Sequence, residues 1–325
     1  MSVIVAGGAG FIGVNFVKKI INYDQEIYII DNFSSGSKRW INLLNLDIKV
    51  NLYECELSDF DETKLIFEKI IKNLNSTPKL WHFAANSDIP SGVENPQIDF
   101  RDTFMTTFNL LQICRTFNIR FFYFASSSAV YGDHGNKLIN EDTGPLMPIS
   151  NYGAMKLASE AACFSSAECF LDDLRIYRFP NVVGMPATHG VILDFINKLN
   201  KDPYHLEVLG NGTQRKSYLH VDDLVEGMIY LAKRDLEIGQ NPIFNLGPNN
   251  DFVTVSWIAE RTIEIVSNKA KILYGEGDRG WIGDVPKFVY DTSKALSSGW
   301  KPILDSKQSI IKAINEISKY YKKIK

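Results

Sequence analysis

The chain has 325 residues, 45 % hydrophobic and 22 % charged, a globular composition that excludes a disordered or collagen-like chain. A formal net charge of −3 supplies no global basic field to hold nucleic acid or an anionic membrane. No stretch approaches the roughly 18 apolar residues of a membrane helix, and the N-terminal residues carry no basic leader, so neither a membrane span nor a signal peptide is expected.

Residues 3–6 are a short apolar run that enters a glycine turn. Residues 11–21 then have helical spacing, with Phe11, Val14, Val17 and Ile21 on one side. Residues 26–31 and 49–53 read as the second and third strands, 61–74 as a helix, and Pro78 breaks the chain before a strand at 79–84. Pro96 opens a long helical stretch to Thr116. A phenylalanine-rich strand at 120–126, a helix at 151–169 and a strand at 174–179 follow. Strands alternating with helices of this length imply right-handed βαβ units, hence an α/β fold with a doubly wound parallel sheet.

Past Pro180 the pattern loosens, with glycine, proline and asparagine frequent at 184–190, 203, 210–212 and 247–250. Two domains are expected: 1–180, and a smaller mixed α/β region over 181–325, with 243–247 the candidate to return to the main sheet. The cysteines Cys55, Cys114, Cys163 and Cys169 form no Cys-x-x-Cys pair, and no histidine pair has metal-ligand spacing. Reduced thiols, a cytoplasmic setting and no metal are expected. The lysines near the C-terminus suit a helix end facing its own dipole.

Gly7-Gly8-Ala9-Gly10-Phe11-Ile12-Gly13 stands between the first strand and the first helix. Glycines there allow a tight turn and close approach of backbone to a pyrophosphate, and the helix N-terminus supplies N–H donors, as in a Rossmann sheet. Asp31 ends the second strand, where a carboxylate accepts from an adenosine ribose diol. Asn32-Phe33 follow rather than Arg or Lys, so NAD is favoured over NADP. The bland alternative is a structural turn with Asp31 capping a loop.

Tyr152 and Lys156 lie one helical turn apart on one face. A nearby ammonium favours the phenolate, so the spacing predicts a phenol drawn down toward working pH, able to take a proton from a sugar hydroxyl. Ser126-Ser127-Ser128 closes the fifth strand, where ligands gather in such sheets, and supplies a hydroxyl for the reacting oxygen.

With these motifs the chain resembles the extended short-chain dehydrogenase/reductases that modify nucleotide sugars, in particular the UDP-galactose 4-epimerase-like branch. The resemblance also rests on Asp31-Asn32, His82-Phe83-Ala84-Ala85, Ser126 to Gly132, Arg178 to Gly184, Tyr218 to Asp223 and Arg279 to Asp284. It implies Tyr152 as acid/base, Lys156 on the nicotinamide ribose and Ser127 as the catalytic hydroxyl, with Ser128 beside it at the substrate. Gly7, Gly10, Phe11, Ile12, Asp31, Asn32, Phe83, Ala84 and Ala85 would line the NAD site. Glu56-Leu57 would bracket the adenine, although Asp is usual where Glu56 stands, and Pro180 would lie against the nicotinamide. Asn181, Arg215, Lys216 and Arg279 would hold the substrate diphosphate. The chain departs from the family's pattern at Thr103 and Thr106, which replace a frequent Asn and Gly, at Lys216, where Arg is usual, and in the Gly280-Trp281-Ile282 spacing after Arg279.

Ser127 is followed by Ser128 and Ala129, not by the Asp-Glu of the sugar 4,6-dehydratases, so that elimination lacks its acid and base. The resemblance then implies oxidation at C4 of a nucleotide-diphosphate sugar through a 4-keto intermediate. Net 4-epimerisation is favoured, with a 4-dehydrogenase that releases the keto product as the alternative. A catalytically silent NAD-sensing protein is disfavoured because Tyr152 and Lys156 are both present. A homodimer is implied, paired through the helices at 99–116 and 151–169, where Ala154, Ala158, Ala161, Ala162 and Ser165 offer a small-residue surface.

Overall fold

A computed structural model describes residues 2–23, 26–43, 50–236, 240–278, 280, 285, 287 and 289–322. The first of its two units comprises residues up to Val130, Ser150–Arg178 and Ala232–Phe244. Its strands are β1 (Ser2–Ala6), β2 (Glu26–Asp31), β3 (Val50–Glu54), β4 (Pro78–His82), β5 (Phe121–Ala125), β6 (Asp173–Arg178) and β7 (Ile243–Asn245), in the sheet order β7-β6-β5-β4-β1-β2-β3. All pairings from β3 through to β6 are parallel. Chain order reverses between β1 and β4, and the carboxyl ends of strands at such a switch point are where α/β sheets take ligands. Every residue of β1 is buried, as a strand covered on both faces requires.

The covering helices are α1 (Phe11–Ile20), α2 (Lys38–Leu43), α3 (Phe60–Asn73), α4 (Ile89–Glu94), α5 (Pro96–Asp99), α6 (Thr106–Thr116) and α7 (Asn151–Cys169). Asp59 caps α3 by accepting from Glu62 N at 3.0 Å, and Ser150 caps α7 by accepting from Gly153 N at 3.1 Å. The long helix expected from Pro96 to Thr116 is instead α5, a π-helical turn over Phe100–Met105, and α6. Asn95 starts it, its side chain accepting from Gln97 N at 3.2 Å, with Pro96 in the first helical position. Neither α2 nor α4 is apparent in the sequence, each being only six residues long.

One face of the sheet buries Ile4, Leu80, Phe122 and Ile176 together with Phe67 and Leu110. On the other, Trp81 packs with Phe16 at 4.4 Å and Tyr123 at 4.6 Å between ring centroids. A charged pair is buried at the end of β6. Arg178, at the end of β6, meets Glu160 of α7 side-on, Nε to Oε1 at 2.9 Å and Nη2 to Oε2 at 2.5 Å, and Ser126 Oγ donates to the same Oε1.

The second unit comprises Tyr131–Ile149, Phe179–Leu231 and the chain from Asn245 on. The units therefore interleave along the sequence rather than dividing once at Pro180. Two long-range pairings account for this: Ile176 N donates to Pro242 O at 3.0 Å, keeping Ile243 and Phe244 of β7 with the first unit, and Leu138–Ile139 runs parallel to Val289–Tyr290 within the second. The second unit also pairs Asn181–Val183 with Tyr218–His220, Arg215–Lys216 with Val253–Thr254, and His205–Val208 with Lys271–Tyr274. Its core joins Phe195, Ile196, Leu206, Ile258, Ile310 and Ile314. The helix Ser306–Lys322 is fastened to the strand end at His220, whose buried ring hydrogen-bonds Glu316 at 3.2 Å, while Lys312 binds Asp222 at 2.5 Å. Burial opposes a charge on His220, but the two carboxylates outweigh it and raise its pKa.

Replacing Glu160 by Ala leaves a buried guanidinium without its carboxylate and is expected to cost about 3–5 kcal/mol of stability. The loss should be read as a lower urea midpoint by circular dichroism; an unchanged midpoint would mean that the pair contributes little.

Candidate active site

The glycine turn is built by close backbone approach. Gly7 has φ +77°, and a Cβ there would come within 2.9 Å of the Phe83 carbonyl carbon and closer still to Ala84, so only glycine fits between β1 and β4. Gly13 is pressed against Gly7 O in the same way. Helix α1 begins at Gly10 with no side-chain cap and no acid in its first turn. The N–H groups of that turn, including those of Phe11 and Ile12, are left without a side-chain cap, which suits a pyrophosphate.

Asp31 is 6 % exposed at the end of β2. Its Oδ2 accepts from Ala9 N at 2.9 Å and its Oδ1 from Phe33 N at 2.8 Å, so the carboxylate also braces the glycine turn. Burial raises its pKa against the pull of those N–H groups. Asn32 Nδ2 donates to Glu56 Oε2 at 2.8 Å, and Glu56 Oε1 accepts from Ser58 N at 3.1 Å. Burial pushes the Glu56 carboxyl up, but these bonds outweigh it and hold it below the usual carboxylate range. Leu57 is buried and its carbonyl accepts from Asn109 at 3.0 Å. Phe83 and Ala84 both donate their N–H to Ala6 O, which lays the run that continues into Ala85 across the end of β1. Apart from Tyr152 and Lys156 on α7, the cofactor residues expected within the first unit therefore collect along the carboxyl ends of β1 to β4.

Ser127 and Ser128 follow β5, half-buried. Ser127 Oγ accepts from Ala129 N at 3.1 Å and stands close enough to Tyr152 to favour its phenolate. Lys156, 2 % exposed, donates from Nζ to Ala125 O at 2.6 Å and lies 5.8 Å from the Tyr152 ring centroid. One correction follows. Lys156 is expected to draw the phenol down, whereas burial pushes Tyr152 up to about 12, opposed by the neighbouring Ser127 hydroxyl and reinforced by the charge of Asp99. Burial also lowers Lys156 to about 7, with Glu160 pulling it back up. Desolvation dominates both members of the pair.

The remaining expected residues belong to the second unit. Pro180 stands against Gly247, whose Cβ would meet Pro180 Cγ at 3.2 Å. Asn181 is exposed and pairs in register with Tyr218. Arg215 stacks on Phe252 at 4.8 Å and donates to Asn136 at 3.3 Å, and half-buried Lys216 pairs with Val253. Arg279 lies outside the described residues, as do Gly283 and Asp284. Sequence reasoning missed Glu160 and a buried web of Asn86, Asp99 and Thr103. Glu160 carried a signal, standing one helical turn beyond Lys156; Asp99 carried none.

The trio His220, Asp222 and Glu316 has metal-ligand geometry, but the Lys312 ammonium binds Asp222 and approaches His220 Nδ1 at 3.4 Å, which explains the cluster without a metal.

The model of the NAD dependent epimerase/dehydratase family matches residues 3–247. A UDP-glucose 4-epimerase of Lactobacillus helveticus is 26 % identical over 334 residues, spanning 96 % of this chain and 95 % of its own. Among solved structures, a UDP-galactose 4-epimerase is 33 % identical with a TM-score of 0.84 over 98 % of this chain and 99 % of that one. The UDP-glucose 4-epimerase of Thermotoga maritima, solved with UDP-glucose, is 25 % identical with a TM-score of 0.85 over the whole of both chains.

A carboxylate at Asp31 next to a ribose disfavours a 2′-phosphate. A dinucleotide with a free 2′-hydroxyl is expected to bind at least about tenfold tighter than its 2′-phosphorylated form, a difference of ~1.4 kcal/mol by calorimetric titration. Equal affinities would remove Asp31 from that role.

Proposed function

Because the chain belongs to the NAD dependent epimerase/dehydratase family, we propose that it interconverts C4 epimers of a UDP-linked sugar through a 4-keto intermediate. The observation that carries this reading is buried Lys156, bonded to Ala125 O at the carboxyl end of β5 and 5.8 Å from the Tyr152 ring, beside Ser127, with Ser128 and Ala129 where a dehydratase would need acids. The first unit is the NAD-binding domain and the second holds the substrate. Gly7, Gly13 and the uncapped start of α1 fit the pyrophosphate, since a Cβ at either glycine would close the turn. Bound NAD supplies the hydride acceptor and a positive ring charge that joins Lys156 in favouring the phenolate.

Tyr152 Oη takes the proton of the sugar 4-hydroxyl as C4 gives up its hydride, and returns the proton when the hydride is restored on the opposite face. A phenol near 12 is a ready donor in the return step; in the forward step Ser127 Oγ favours its deprotonation, and a charged Lys156 ammonium beside it would add to this by its field. Ser127 and Ser128 orient the reacting oxygen. Asn181, Arg215, Lys216 and Arg279 bind the diphosphate and Pro180 faces the nicotinamide. The free thiols Cys55, Cys114 and Cys163, all buried, with burial pushing Cys55 up to about 12, suit a reducing cytoplasm. No helix among the described residues is long and apolar enough to cross a membrane.

The chain also forms a homodimer in this reading. Phe100, Phe104 and Phe108 make a ladder along the π-turn and α6, with centroids 6.0 and 6.1 Å apart and the outer two exposed, and Phe164, Ala161 and Ser165 are exposed on α7. Light scattering at micromolar concentration should give twice the chain mass, and Phe104→Glu should halve it; a monomeric wild type would refute the dimer.

Purified protein incubated with UDP-glucose or UDP-galactose should yield the C4 epimer by NMR over many turnovers, with no accumulation at the NADH absorbance band. A 4-keto product formed one-for-one with NADH would replace epimerase by dehydrogenase. Tyr152→Phe should keep NAD binding and lower turnover by about 10²-fold or more; near-native turnover would remove Tyr152 from the acid/base role.

A further inference from the structure

Asp99 is completely buried at the end of α5, where the π-helical turn begins. Its Oδ1 accepts from Asn86 Nδ2 at 2.8 Å, and its Oδ2 has no hydrogen-bond partner among the described residues. A buried carboxyl oxygen without a donor is costly, so its retention needs a reason. Oδ2 presses against Gly92, where a Cβ would collide with it, and Gly92 O in turn accepts from Asn151 Nδ2 at 2.9 Å. Asn151 is the residue before Tyr152. Asn86 is fixed from its other side by Thr103 Oγ1, which accepts from Asn86 N at 3.2 Å. Asp99 thus has no hydrogen bond to the phenol or to Ser127, yet it is coupled to the first turn of α7 through Gly92 and to Tyr152 by its charge.

We infer that Asp99 is a positioning residue for Tyr152, its buried carboxyl setting both the seat of the helix turn that carries the phenol and the negative charge the phenol faces. The inference rests on Tyr152 being the acid/base group. The charged groups around Asp99 are Asp88 at the start of α4 and Asp102 on the π-turn, the latter paired with Arg101, and both aspartates together with burial make Asp99 harder to ionise. Asn86 favours its ionised form. Around Tyr152 stand Lys156, 5.8 Å from its ring centroid, and Asp99, whose charge opposes the phenolate. An ionised Asp99 therefore keeps Tyr152 protonated, and a neutral one releases it.

The test is Asp99→Asn, which preserves shape and removes the charge. Ionisation of Tyr152 is read directly, in protein saturated with NAD, as the phenolate ultraviolet difference between each protein and the same protein carrying Tyr152→Phe. The acid limb of the kcat/KM profile with UDP-galactose gives a second reading. Both midpoints are expected to move to lower pH by about half a unit or more. Should Asp99→Asn fail to fold, Asn86→Ala removes the bond that favours the ionised carboxyl and should move the midpoints the same way. A folded variant with unmoved midpoints, even one of lower thermal stability, would overturn the inference and leave Asp99 a structural residue. Failure of UDP-galactose to turn over would count against the proposed function while the ultraviolet titration still decides for or against Asp99.

Discussion

The arrangement of the candidate active site depends on the buried pair of Glu160 and Arg178. Their side chains are each 2 % exposed, so neither charge has water to fall back on. A pair at this depth adds little net stability over an apolar one, because desolvation consumes most of the attraction. Its effect is on geometry. Two parallel N–H bonds fix the guanidinium of β6 in the plane of the Glu160 carboxylate, and the Ser126 hydroxyl fixes the end of β5 to the same oxygen. Helix α7 is thereby held to two neighbouring strand ends, and Tyr152 and Lys156 come to Ser127 as a consequence.

The same exclusion of water shapes the protonation of the site. Burial drives the Tyr152 phenol and the Lys156 amine both toward their neutral forms, one upward and one downward. Glu160 is the counterweight for Lys156: it faces the amine from one turn further along α7 and favours its charged form. A single carboxylate thus serves a strand end through Arg178 and the ammonium through space. Asp99 acts in the opposite sense on the phenol, so two buried acids bias the two members of the Tyr-Lys pair from different sides.

What was legible in the sequence was local. The glycine run, Asp31, Ser127 and the Tyr152–Lys156 spacing are each set by a few consecutive residues, and the short parallel strands declare themselves as apolar runs. What depended on distant contacts was hidden. The π-turn that interrupts the helix expected over 96–116 depends on how Phe100–Met105 packs, which leaves no periodic trace. Membership of residues 131–149 in the second unit follows from pairing with Val289–Tyr290, about 150 positions later. The direction of the Tyr152 shift was hidden for another reason: residue spacing reports a neighbouring charge but not the depth at which it is buried.

The π-turn at Phe100–Met105 has an evolutionary corollary. A π-helical turn amounts to one extra residue accommodated within an α-helix. Loss of that residue would rewind the segment and rotate everything beyond it by about 100°. Thr107, bonded to His82 at 2.9 Å, and Asn109, bonded to Leu57 O at 3.0 Å, would swing away from β4 and from the turn after β3. Insertions and deletions in this segment are therefore constrained even though Phe100 and Arg101 are exposed, and substitutions there should be tolerated where length changes are not.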